Sequence, residues 1–254
     1  MLPPEDEMMP LIELYFATTG TLFPFIEQHG FLDTYRQMTT TGIPFVRRSW
    51  LGLLNIMFAI ATSTNTGQDS TITAQARARN SDIFYRRAMV LSDRQIRYAA
   101  SLEVGRIFHH PTLVAVLNHN SVQMLLLTSM YLQGTEHSIA TWNVHGLAVK
   151  AAYQLGLHSP DGLRQYSPSE REIRKRVWFA CVIIDRCAFS PYCKRLQLTS
   201  LASSLSMTMG RPISIPESFI KVDLPLVVQD DTPSGVNSST RENLESVQFY
   251  SASM

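Results

Sequence analysis

The sequence predicts an all-α, multi-helix protein on three observations. Two stretches place apolar residues on one side at helical spacing, and the connection between them is short and punctuated by Ser and Pro. In the first stretch, Val144, Leu147, Ala148, Ala151, Ala152 and Leu155 share one side, while Asn143, Lys150 and Gln154 lie near the other. Gly156 marks its stop, since glycine tolerates the left-handed backbone that ends many helices. In the second stretch Ser167 can cap a helix, Pro168 suits the first helical position, and Glu170 closes a capping box. Ser169 with Glu172 offers the same geometry two residues on, so the start is defined and its register is not. Ile173, Val177, Cys181 and Ile184 form one stripe, and Glu172 with Arg176 is an i,i+4 pair in the favourable order. Every residue from Val177 to Ile184 is apolar, so this helix must be buried nearly all round. The run is far short of the roughly 20 residues that cross a bilayer.

The remaining elements follow in chain order. Residues 1–10, acidic and carrying three prolines, are expected to be a loose tail. A short apolar helix covers 11–17, a turn follows at 20–24, and Tyr15, Phe16, Phe23 and Phe25 are core aromatics. Residues 31–38 form a helix ended by Thr39, Thr40 and Thr41 through poor propensity, helped by Gly42 and Pro44. Residues 50–61 are apolar on most sides and therefore central. After a polar loop at 62–69, a long helix over 71–91 turns Ala76, Ile83, Phe84, Ala88 and Leu91 inward and Arg77, Arg79, Arg86 and Arg87 largely outward. Ser92 can cap a further helix from Asp93.

A set of short motifs then recurs in a particular order: Tyr131-Leu132 at a helical hairpin, Gly146, Ala148 and the helix end Leu155-Gly156-Leu157-His158. It continues with a Glu- and Arg-rich helix start running through Arg176 to Trp178, then Asp185-Arg186, Gly210-Arg211-Pro212 and the exit Asp223-Leu224-Pro225. No one of these is specific. Together they resemble the middle homology region of fungal zinc-cluster transcription factors, over residues 11–228, with a polar, disordered or truncated tail at 229–254. The resemblance implies an all-helical regulatory domain of a nuclear transcription factor without enzymatic activity of its own. It also implies protein partners or self-association, and an effector-sensing role toward a small molecule. The alternative is a helical interaction domain that acts through another regulator.

The chain departs from that family in two ways. The family pattern is split by residues 104–121 and again by 187–204, each 18 residues long, and the expectation is that these are retained introns or true insertions. The second departure concerns zinc, which the resemblance implies only for an N-terminal six-cysteine cluster. This chain has three cysteines, all beyond residue 180, so no metal or other cofactor is expected within it. His109, His110 and His119 in the first segment and Cys187 and Cys193 in the second have no recognised metal-ligand spacing, and Cys181 reads as a core thiol.

Composition excludes further classes. With 22 basic and 21 acidic residues the net charge is +1, which exerts no overall pull toward nucleic acid or membrane. The basic residues Arg171, Arg174, Lys175 and Arg176 are interleaved with Glu170 and Glu172, so specific DNA binding is not expected from this chain alone. The start MLPPEDEMMP is acidic where a secretory signal would be basic. No phosphate-cradling glycine loop is present, and Ser129, Glu136 and His137 do not sit in a nucleophile elbow. Asp185 and Arg186 read as a structural ion pair or helix-end cap, with Arg186 or the 208–212 loop as the partner that a buried Asp185 needs.

Overall fold

A computed structural model of the protein describes residues 2–65, 73–100, 118–135, 137–186 and 214–226, with backbone alone at 94–100 and 138. Every regular element among these residues is helical. In chain order they are α1 (Glu5–Tyr15), a π-turn (Phe16–Gly20), α2 (Gln28–Thr41), a 3-10 turn (Ile43–Phe45), α3 (Arg48–Thr64) and α4 (Ala74–Ala100). After these come α5 (His119–Gln133), α6 (Ser138–Gln154), the single turn α7 (Pro160–Leu163), α8 (Pro168–Arg186) and a last 3-10 turn (Glu217–Phe219).

The centre is α3, in which all thirteen residues from Ser49 to Ala61 are buried. Helices α1, α4 and α5 pack around it. Gly52 permits the closest approach, because a Cβ there would lie 2.6 Å from Ser92 Oγ and 3.1 Å from Met124 Sδ. Ser92 is therefore no cap: it lies inside the continuous helix α4, is fully buried, and donates to Met124 Sδ. The buried line of α4 is Ser81, Ala88 and Ser92, while Ile83, expected inward, is exposed. Phe84 rests edge-on against Phe58 of α3.

The N-terminus differs from the expected tail. Helix α1 begins at Glu5, because Met8, Ile12 and Tyr15 continue one buried face at i, i+4, i+7. Glu5, Asp6 and Glu7 suit the positive end of the helix dipole, and Pro10 sits on the exposed side. The three threonines do not end α2 either. Each hydroxyl donates to a carbonyl one turn back, Thr39 and Thr40 to Arg36 and Thr41 to Gln37, and the helix stops only at Gly42 with φ 94°. Its start is earlier than expected because the Glu27 carboxylate accepts from the N–H groups of His29 and Gly30.

Helices α5 and α6 form the hairpin whose first arm ends in Tyr131 and Leu132. The last residues of the expected insertion 104–121 belong to this hairpin. Asn118 caps α5 by accepting from Ser121 N–H at 3.0 Å, and its amide donates to Ser49 of α3 at 3.2 Å. Residues 104–117 and 187–204 lie outside the described residues, as do Gly210, Arg211, Pro212 and the tail 229–254.

Helix α8 packs against both arms of the hairpin, so 142–157 and 168–186 are neighbours as the sequence implies. Ser167 accepts from Glu170 N–H at 3.3 Å, which settles the register left open by the two serines. Val177 to Ile183 are all buried. Trp178, fully buried, packs on Tyr153 and His158 of the preceding hairpin arm and its exit, with ring centroids 5.5 and 5.9 Å apart. Substitution of Trp178 by alanine should therefore cost about 3–5 kcal/mol of folding stability. Chemical denaturation checks this, and a loss below about 0.5 kcal/mol would place the ring outside the cooperative core.

Candidate functional site

The motif residues of α6 and α8 lie where these helices meet the segment 214–226, while Gly210, Arg211 and Pro212 lie outside the described residues. Ala148 is fully buried on α6, and Gly146, two residues before it, is partly exposed with nothing within 4 Å of the Cβ position. Helix α6 ends as Leu155-Gly156 predict. Leu157 N–H bonds to Ala152 O and Gly156 N–H to Tyr153 O, with Gly156 at φ 67°, the paired bonds of a Schellman motif. A partner glycine that sequence reasoning missed, Gly162, passes so close that a Cβ there would sit 2.7 Å from Gly156 O. This contact folds the 156–163 turn back and aims α8 along the hairpin.

At the far end of α8, Asp185 is buried with 7% exposure; of its two expected partners, Arg186 turns elsewhere and the 208–212 loop lies outside the described residues. Its carboxylate accepts from the N–H groups of Ser214, at 2.9 Å, and Ile215, at 2.9 Å, and lies 3.4 Å from His145 Nε2. That last approach is electrostatic, without the alignment of a hydrogen bond, and His145 Nδ1 is also without a hydrogen-bond partner. Arg186 instead reaches outward to Glu217 at 3.8 Å. The signal for His145 was present in the sequence, since it shares a face with Thr141, Ala148 and Ala152, all buried. A polar residue among small apolar ones on that face marks a buried group in need of a partner. Burial alone pushes the Asp185 carboxyl up, but His145 and the two backbone N–H donors outweigh it and hold it below the ordinary carboxylate value.

The basic start of α8 is used internally. Arg174, buried, donates to Glu170 through Nε and Nη2 at 3.2 and 3.1 Å and lies over the Tyr166 ring at 3.6 Å. His119 Nδ1 approaches the same Glu170 oxygen at 3.7 Å. Arg176 pairs with Glu172 at 3.3 Å, and Glu172 also accepts from Leu226 N–H at 2.8 Å. Elsewhere, Tyr131 stacks on Tyr85 with centroids 5.0 Å apart and shares a 3.1 Å hydrogen bond with Ser81, while Leu132 is buried. Ser129 donates to Leu126 O inside α5, as a structural hydroxyl does. Cys181 is fully buried, and burial pushes its thiol far up, away from the reactive form. No group of three potential metal ligands occurs among the described residues.

The described core is all-helical, with α8 packed on both arms of the α5–α6 hairpin. Comparison with known proteins agrees: the fungal specific transcription factor domain matches residues 12–192, and the chain belongs to that family. Transcription factor FBD3 of Gibberella moniliformis is 34% identical over 216 residues, covering 85% of this chain and 24% of that protein. Transcription factor FBD3 of Fusarium pseudograminearum is 31% identical over 229 residues, covering 88% and 27%. A sorbicillinoid biosynthetic cluster transcription factor of Penicillium rubens is 27% identical over 192 residues, covering 73% and 25%. The chain thus spans about a quarter of the length of these relatives. No solved structure matches it.

Because its carboxyl titrates below the ordinary value of 3.8, Asp185 binds fewer protons folded than unfolded. Its stabilisation is complete above that ordinary value and is lost as pH falls toward the folded one. Asp185→Asn should cost about 1–3 kcal/mol at neutral pH, and the gap to wild type should narrow below about pH 4. Urea denaturation at several pH values tests this; a gap that widens on acidification would mean the carboxylate is not held ionised by these partners.

Proposed function

We propose that this chain is the regulatory part of a nuclear fungal transcription factor, acting through protein contacts and in response to a small effector, with DNA reading supplied outside it. The observation that carries the reading is its membership of the fungal-specific transcription factor domain family. The described fold supports a unit running from α1 to the 214–226 segment, since that segment is bonded to both ends of α8. The reading includes no enzymatic activity and no resident cofactor. In its favour, the Ser129 hydroxyl donates within α5 and the Cys181 thiol is fully buried. No described helix is long and apolar enough to cross a membrane.

Specific DNA recognition needs both phosphate neutralisation and side chains presented to base edges. Of the densest basic cluster, Arg174 and Arg176 are bound to Glu170 and Glu172. The purified chain should therefore prefer a selected duplex over scrambled DNA by less than about tenfold at physiological salt, against the 10³–10⁷ usual for specific readers. Fused to an unrelated DNA-binding module, it should change transcription from that module's reporter. Enrichment of one motif by the chain alone, or a fusion indistinguishable from the bare module, would overturn the proposal.

A further inference from the structure

Between the π-turn, α3, α4 and α5 lies a cavity of about 320 Å³. Small-molecule sites span roughly 300–1,000 Å³, so it is large enough for a compact ligand. We propose that it binds a small, largely apolar molecule carrying a hydrogen-bond donor. This deepens the effector role proposed above; it rests on that reading for its biological purpose and not for the binding itself.

The space arises where the last turn of α3 and the first turns of α4 part. Small residues, Ala74, Ala78 and Ser81 on one side and Gly134 on another, leave it unfilled. Leu22, Phe23, Ile60 and Met130 give it apolar walls. The π-turn contributes Thr19, and π-turns recur at functional sites because they cost regular hydrogen bonding.

The chemistry of the lining hydroxyls selects the ligand. Ser63 donates its proton to Ile60 O at 2.8 Å, Thr64 to Ile60 O at 3.0 Å and Thr135 to Leu132 O at 2.9 Å. Ser81 donates to Ala78 O at 2.9 Å, which makes Tyr131 the donor across the 3.1 Å Ser81–Tyr131 contact. Each of these hydroxyls has spent its only proton and retains lone pairs. They match a guest that donates, and Thr19 can take either role. No carboxylate is among the described lining residues, so a protonated amine would meet no counter-charge. Arg77, the one charged residue described there, takes part in an interaction of its own.

The test titrates the purified 254-residue chain with indole, whose single N–H is its donor, and with 1-methylindole, which has the same apolar body and no donor. Indole should bind saturably at one site, and 1-methylindole about tenfold more weakly, the worth of one well-placed hydrogen bond. Ala74→Phe fills the rim at an exposed position and should abolish indole binding without lowering the thermal transition. Tyr131→Phe keeps the ring on Tyr85 and removes one acceptor, so it should shrink the difference between the two probes. No saturable indole binding, equal binding of both probes, or unchanged affinity in a folded Ala74→Phe chain would each overturn the site. Those outcomes leave the reporter test untouched, so loss of the cavity and loss of the regulatory reading are separable.

Discussion

The fold depends on one constraint: α3 has no outward face. Thirteen consecutive buried residues require neighbours on every side, and a helix about 10–12 Å across with its side chains can be covered only by several others. Helices α1, α4 and α5 take those places. Their own exposed sides follow, and the carboxylates of α1 and Arg79 and Arg86 of α4 end up on the surface. Gly52 sets how closely the layers approach, since any side chain there would push Ser92 and Met124 away together.

A core made of such helices must also satisfy the polar groups it swallows. Helix α5 is buried from Ser121 to Leu132 and carries several of them. Thr128 and Ser129 solve the problem locally, donating to Met124 O and Leu126 O within the helix. Gln123 solves it across the fold by donating to Phe25 O at 2.7 Å, which ties the irregular stretch after the π-turn to the hairpin. Asn55 of α3 donates to Leu51 O in the same local manner as Thr128. Asn55, Gln123, Thr128 and Ser129 therefore hold geometry rather than present chemistry.

What was legible in the sequence divides along the same line. The central helix, the Gly156 stop, the capped start of α8 and its buried run are properties of neighbouring residues, and each is written within one or two turns of chain. Met8 and the Thr39–Thr41 run misled because propensity and proline content describe an isolated segment. Burial of one helix face and back-bonding hydroxyls outweighed them here. Ile83 was misplaced by a small rotation of one long helix, whose charges are too evenly spread to define its face, and Ser92 because that helix runs on where a cap was expected. The partners of Asp185 were illegible for a different reason. His145 and Ser214 lie far from it along the chain; Arg186, the nearer candidate, turns to Glu217 instead, and the other candidate, the 208–212 loop, lies outside the described residues.

That long-range contact organises the end of the described fold. The chain meets α8 at Asp185, through Ser214 and Ile215, and again at Glu172, through Leu226, so it runs back along the helix toward its start. The two carboxylates are separated by about 20 Å of helix at 1.5 Å per residue. The segment between Ile215 and Leu226 could reach roughly 35–40 Å if fully extended. The surplus is taken up by the 3-10 turn at Glu217–Phe219, which lays Phe219 against Tyr153 and His158, with centroids 5.6 and 6.1 Å apart. Both anchoring bonds join a carboxylate of α8 to backbone N–H groups, so they impose a register without dictating which side chains the segment carries. The direction in which the chain leaves this fold is thus set by α8. Weakening the buried Asp185 anchor would release the path of the segment before it disturbed the helices beneath.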